Sequence, residues 1–201
     1  MKTVFRLCVA WLVLSATHLY ANEVDQIFEQ SVSEPGCAVG YAKDGKIEYV
    51  KGFGSANLEH DIPITSETRF HVASVTKQIT GTAIGMLILE GKLSLDDNVH
   101  QYLPALPDYG TVITLRHMLL HTSGLKSYTK LMKLEGLDYG NSITQQQVLD
   151  LIYERKVLNF QPGEKFEYSN TGYFLLARVV EKVTGISFRA YTRKHLFEPL
   201  E

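Results

Sequence analysis

Three serines in this chain stand three residues before a lysine: Ser74/Lys77, Ser123/Lys126 and Ser127/Lys130. At i and i+3 on a helix the two side chains share a face, so such a pair can set a hydroxyl beside an amine able to take its proton. Roughly one S-x-x-K arises by chance in a chain this long, so the spacing alone does not choose among the three. A second pattern pairs a phenol with an amide. Tyr168-Ser169-Asn170 places both just before an apolar helical run, and Tyr139-Gly140-Asn141 repeats the pattern inside a glycine-containing loop. A tyrosine near a lysine can share a proton with it and serve as general acid and base.

Context separates the serines. Ser123 and Ser127 lie in "HTSGLKSYTK", which reads as a polar loop where nothing would desolvate a lysine. Ser74 follows the strand-like "RFHVA" and can cap a helix running apolar through Ile79, Ala83, Ile84, Leu87 and Ile88 to a stop at Gly91. That helix has almost no polar face and should be buried. Burial at its edge would favour a neutral, proton-accepting Lys77. Gly81 and Gly85, one turn apart, would let a neighbour approach closely. Read only as structure, Ser74 is an N-cap, Lys77 reaches solvent, and Tyr168 is a partly buried aromatic.

Other elements must hold these residues in place. "GCAVGYAKDGKIEYVKGFG" reads as a β-hairpin, Cys37 to Ala42 and Ile47 to Gly52 around Lys43-Asp44-Gly45-Lys46. Capped helices follow. One opens at "SLDD" near Asp96, one starts from Thr114 and ends at Ser123-Gly124, and one has a Thr144/Gln147 capping box. Asn170 or Thr171 opens a further helix closed by Gly185, and Ser187 opens the last. One hairpin is little sheet for so many apolar helices, so the chain reads as part of a domain.

The chain has 201 residues, is 45% hydrophobic and carries a formal charge of −2. With no basic run or face, nucleic acid is not an expected partner. Residues 1–21 read as a signal peptide, with Lys2 and Arg6, an apolar Leu7 to Ser15, and a cut after Ala21. Its apolar core is short for a membrane span, so no stable anchor is expected after cleavage. Cleavage removes Lys2 and Arg6 from 20 basic residues and none of the 22 acidic ones, leaving a formal −4. Cys37 is then the lone cysteine, in an apolar strand where it reads as a small hydrophobe. His117 and His121 are spaced as in a zinc helix, but Met118 stands where H-E-x-x-H needs its glutamate. No metal site is expected.

The ordered set "FHVASVTKQITG", "LEGKLSLDDNVHQYLP", "LRHMLLHTSGL" and "PGEKFEYSNTGYFLLARVVEKVTG" resembles the serine β-lactamase and penicillin-binding-protein superfamily, most closely its class C branch. The resemblance runs from about residue 35 to the end. It implies an α+β fold in residues 22–201, with an antiparallel sheet flanked by helices and a mostly helical region over the site. It selects Ser74 and Lys77 as the nucleophile motif and Tyr168 to Asn170 as the second motif, and leaves out Ser123, Ser127 and Tyr139. In this reading Ser74 attacks, Lys77 and Tyr168 move its proton, and Asn170 holds Lys77 and the substrate. No metal or organic cofactor is implied. The activity implied is that of an exported, periplasmic or extracellular serine hydrolase. It would act through an acyl-enzyme on a small-molecule or peptidoglycan-peptide amide, β-lactam or ester. The family's third motif, Lys-Thr-Gly or His-x-Gly on a later strand, is absent, and "HTSG" at residues 121–124 reads as a structural turn. The expectation is therefore an N-terminal part with little activity alone. The alternative is an inactive relative that binds peptidoglycan or β-lactam without turnover.

Overall fold

The computed structural model describes residues 23–28, 33–137, 140 and 142–200. The expected signal peptide, and Tyr139 and Asn141, lie outside the described residues. The described residues form two compact units divided between His71 and Val72.

In the first unit, residues 23–28 are helical (α1), and β1 (Cys37–Lys43) pairs antiparallel with β2 (Lys46–Phe53). The hairpin turns on Asp44 and Gly45, both with positive φ (50° and 73°). An Asp-Gly pair suits this turn because its twist matches that of the strands. A second antiparallel pair, β3 (Ser55–Asn57) with β4 (Ile62–Pro63), was not expected from the sequence. Its strands are too short for an alternating pattern to show.

The second unit holds α2 (Thr76–Leu89), α3 (Leu115–Leu119), α4 (Tyr128–Leu134), α5 (Gln145–Tyr153), α6 (Asn170–Thr184) and α7 (Phe188–Thr192). Its core joins Ala83, Ile84 and Leu87 of α2 to Leu175, Leu176, Val179 and Val180 of α6, with Leu115 and Met118 of α3 beside them. Burying each aliphatic side chain of this kind stabilises the fold by about 1.5–3 kcal/mol. Gly172 allows α6 to sit tightly on α3, for a Cβ there would lie 3.1 Å from the Met118 carbonyl oxygen. The Thr144/Gln147 capping box forms, Ser187 caps α7, and Gly185 ends α6 at φ 73°.

Several expectations change. Ser74 does not cap α2. It lies in a single 3-10 turn, Ala73–Val75, and the cap position falls on Val75 with no side-chain bond. One face of α2 is buried and the other is not: Gln78, Thr82 and Leu89 are exposed. A Cβ on Gly81 or Gly85 would meet nothing within 4 Å, so these glycines make no close approach. "SLDD" forms a turn closed by Ser94 and Asp97, and the helical turn comes later, at Val99–Gln101, capped by Asn98. The helix after Thr114 stops at Leu119, well before Gly124. "HTSGLKSYTK" is not an open polar loop, since Ser123 and Ser127 are buried and Tyr128–Leu134 is helical. Ser169, not Asn170 or Thr171, occupies the N-cap position of α6.

Candidate active site

The site begins with a backbone that sequence reasoning could not foresee. Ala73, immediately before Ser74, has φ 44°, a conformation that costs a residue with a Cβ about 1–2 kcal/mol. The 3-10 turn that follows leaves Ser74 exposed, and one turn of α2 later comes the half-buried Lys77.

Tyr168 arrives from the other end of the unit, carried by a laced pair of segments. The Glu167 N–H donates to the His121 carbonyl (2.9 Å), Gly163 N–H to Thr122 (2.8 Å) and Asn159 N–H to Gly124 (2.8 Å). Gly124 is indispensable to this lacing. It has φ 74°, and a Cβ would lie 2.1 Å from the Phe160 carbonyl oxygen. Residues 121–124 are thus the structural turn expected from the sequence.

The four residues singled out from the two motifs lie together. Ser74 Oγ is 2.7 Å from the Tyr168 hydroxyl. Lys77 Nζ donates to Ser74 Oγ at 3.2 Å and to Asn170 Oδ1 at 2.8 Å. The ammonium also stands 4.8 Å from the centre of the Tyr168 ring and 5.6 Å from that of Tyr173. Asn170 is fixed in turn, its N–H donating to Ser127 Oγ (3.2 Å) and its Nδ2 to Thr129 Oγ1 (3.3 Å). The serines that context set aside therefore act behind the site. Ser127 bonds Thr129 and the Asn170 backbone, and Ser123 is buried.

Electrostatics acts on the phenol. Burial pushes Tyr168 up, but hydrogen bonds with Lys77 and Ser74 and the Lys77 charge together outweigh it, so the phenol lies below its ordinary value of 10.0. A phenol so lowered, in contact with a serine hydroxyl, can take its proton and return it. A serine deprotonated in this way can attack a carbonyl.

His117 and His121 do not form a metal pair. His117 lies on α3 and closes a capping box with Thr114, while His121 lies beyond the helix end at φ 57°. Cys37 begins β1 and is half-buried. The described residues hold no group of three or more His, Cys, Asp or Glu able to bind a metal, and no helix long and apolar enough to cross a membrane.

The fold is that of β-lactamase/transpeptidase-like proteins. Residues 24–201 match the Beta-lactamase family, and the chain belongs to it. It is 35% identical over 161 residues to penicillin-binding protein 4* of Bacillus subtilis, covering 79% of this chain and 35% of that protein. Among solved structures, it resembles the octameric penicillin-binding protein homologue from Pyrococcus abyssi, with 33% identity and a TM-score of 0.70, over 92% of this chain and 42% of that one. It also resembles the D-amino acid amidase from Ochrobactrum anthropi SV3 complexed with L-phenylalanine, with 27% identity and a TM-score of 0.66, over 81% of this chain and 44% of that one. The chain therefore spans less than half the length of these relatives.

Proposed function

We propose that this chain carries the nucleophile and proton-transfer groups of an exported serine hydrolase of the class C β-lactamase-like branch. Its substrate is an amide, β-lactam or ester carbonyl on a small molecule or a peptidoglycan peptide. The observation that carries the reading is the Ser74–Tyr168 contact of 2.7 Å, with Lys77 donating to the same serine oxygen. Ser74 Oγ attacks the carbonyl carbon as its proton passes to the Tyr168 oxygen. Lys77 stabilises the phenolate that receives it, and Asn170 keeps Lys77 in place. As the tetrahedral intermediate collapses, Tyr168 gives the proton to the leaving nitrogen or oxygen, and an acyl-Ser74 ester remains. Water attacks that ester as Tyr168 takes its proton, and when the second tetrahedral intermediate collapses Tyr168 returns that proton to the departing Ser74 Oγ, which frees the acid and restores the serine and the phenolate. The amidase and penicillin-binding relatives support an acyl carbonyl as the reacting group. Export rests on the pattern of residues 1–21.

The test is covalent labelling of the full-length protein with a fluorophosphonate probe and with a labelled penicillin, followed by peptide mapping. Ser74 is expected to carry the label, and Ser74→Ala to abolish it, while Ser123→Ala leaves it intact. Labelling that persists in Ser74→Ala would overturn the assignment.

A further inference from the structure

His121 occupies a position that local stability would assign to glycine. The end of α3 closes with Thr122 N–H donating to the His117 carbonyl (2.8 Å) and His121 N–H to that of Met118 (3.4 Å). This is the Schellman pattern, whose left-handed residue is most often glycine. Here that residue is His121, at φ 57°. A side chain in a conformation that glycine adopts more readily, this close to Tyr168, points to a local role, and the contacts say what that is.

The His121 ring lies 4.5 Å from the Tyr168 ring and 5.2 Å from that of Tyr173, with Phe166 edge-on at 5.8 Å. Its Nδ1 accepts the N–H of Ser169, the residue after Tyr168, at 3.3 Å. Its carbonyl accepts the N–H of Glu167, the residue before. One residue thus grips the backbone on both sides of Tyr168 and covers its ring. We propose that His121 is the positioning residue that fixes the Tyr168 phenol against Ser74.

This inference rests on the reading of Tyr168 as the group that takes the Ser74 proton. Accepting an N–H requires Nδ1 to be unprotonated. Burial, and after it the Lys77 charge, hold the imidazole below its ordinary value against a smaller upward pull from the Ser169 backbone, so the ring is neutral at neutral pH. The titratable groups facing it are Lys77 of α2, the Tyr168 phenol and Tyr173 of α6. The Glu167 carboxylate is engaged with Lys130 and Asn159. Protonation would replace an acceptor with a donor at Ser169 and add a second cation near Lys77, displacing Tyr168.

Two substitutions separate positioning from fold stability. His121→Gly relieves the left-handed conformation and removes the ring. His121→Asn tolerates the conformation and restores a side-chain acceptor for Ser169. In the full-length protein, His121→Gly is expected to melt no lower than wild type. Its kcat for p-nitrophenyl acetate should fall about 10- to 100-fold with KM within about twofold, as misplacing a reacting group requires. His121→Asn should recover kcat to within about fivefold of wild type. The acidic limb of the wild-type rate profile that belongs to His121 should be absent from both variants. Wild-type kcat in His121→Gly overturns the inference, and so does a lower melting temperature with a matching loss of fluorophosphonate-titratable sites. Tyr168→Phe tells this failure from failure of the underlying reading. If Tyr168→Phe keeps wild-type kcat, Tyr168 is not the proton acceptor. If it is slow while His121→Gly is fast, only the role of His121 is wrong.

Discussion

Replacing Lys77 with methionine keeps the apolar stem on α2 and deletes the amine. Three things go with it: the donor to Ser74 Oγ at 3.2 Å, the donor to Asn170 Oδ1 at 2.8 Å, and the positive charge over the Tyr168 ring. The phenol feels this most. Burial is the largest single influence on Tyr168 and acts upward, and it is outweighed only because Lys77 and Ser74 act together. Without Lys77, the Ser74 bond alone does not balance burial, so the phenol moves from below 10.0 to above it. Each unit of that movement removes about nine-tenths of the phenolate present at neutral pH. With the lost positioning of Ser74 added, acylation should slow by about two to four powers of ten, the range for disabling a placed general base, here Tyr168. The assay is the rate of fluorophosphonate labelling of Ser74 against pH. In wild type the rate should rise through the phenol's lowered value, and in Lys77→Met the rise should move to higher pH. Lys126→Met should change neither rate nor profile. Equal losses in Lys77→Met and Lys126→Met, or an unshifted rise in Lys77→Met, would refute the reasoning.

Two further outcomes concern the scaffold. Gly124→Ala forces a Cβ to 2.1 Å from the Phe160 carbonyl oxygen at φ 74°, and should destabilise the fold by about 3–5 kcal/mol in thermal unfolding; a loss under 1 kcal/mol would mean that the lacing adapts. His117 Nδ1 accepts the Thr114 N–H, and burial, then the Arg116 charge, hold that imidazole below 6.5. A depressed histidine contributes stability above its unfolded value that is lost as pH falls through the folded one. His117→Gln keeps a capping-box acceptor at this position and should lose less stability than wild type between pH 8 and pH 5. An equal difference at both pH values would show that the cap does not titrate.

Much of the local structure was legible because it is written in nearest neighbours. Asp44-Gly45, Thr144 with Gln147, Ser187 and Gly185 each name their own turn or cap. The S-x-x-K at Ser74 stood out from its two rivals by the apolar helix behind it. What was illegible depends on distant chain. Ser123 and Ser127 look like loop residues until residues 159–167 and the start of α6 bury them. Gly81 and Gly85 suggested a close neighbour, a matter decided by which face of α2 meets α6. His121 was visible as half of a histidine pair. Its signal, a non-glycine residue where a helix must turn left-handed, needs the end of α3 at Leu119 to be known first.

Ser74 and Tyr168 are 94 residues apart in the chain, yet their contact is direct. During synthesis the serine leaves the ribosome long before its phenol exists. Throughout that interval it is an ordinary alcohol, with neither Tyr168 nor Asn170 to tune or hold the lysine beside it. The Ser74–Tyr168 contact forms only when the segment leading into α6 is in place beside α2, and the same packing of α6 on α2 closes the core through Leu175, Leu176 and Ala83. On the proposed function, the competence of Ser74 is therefore tied to completion of the fold. Any nascent, misfolded or partly opened molecule in which α6 has left α2 loses the Ser74–Tyr168 and Lys77–Asn170 contacts at the same moment that it loses its packing.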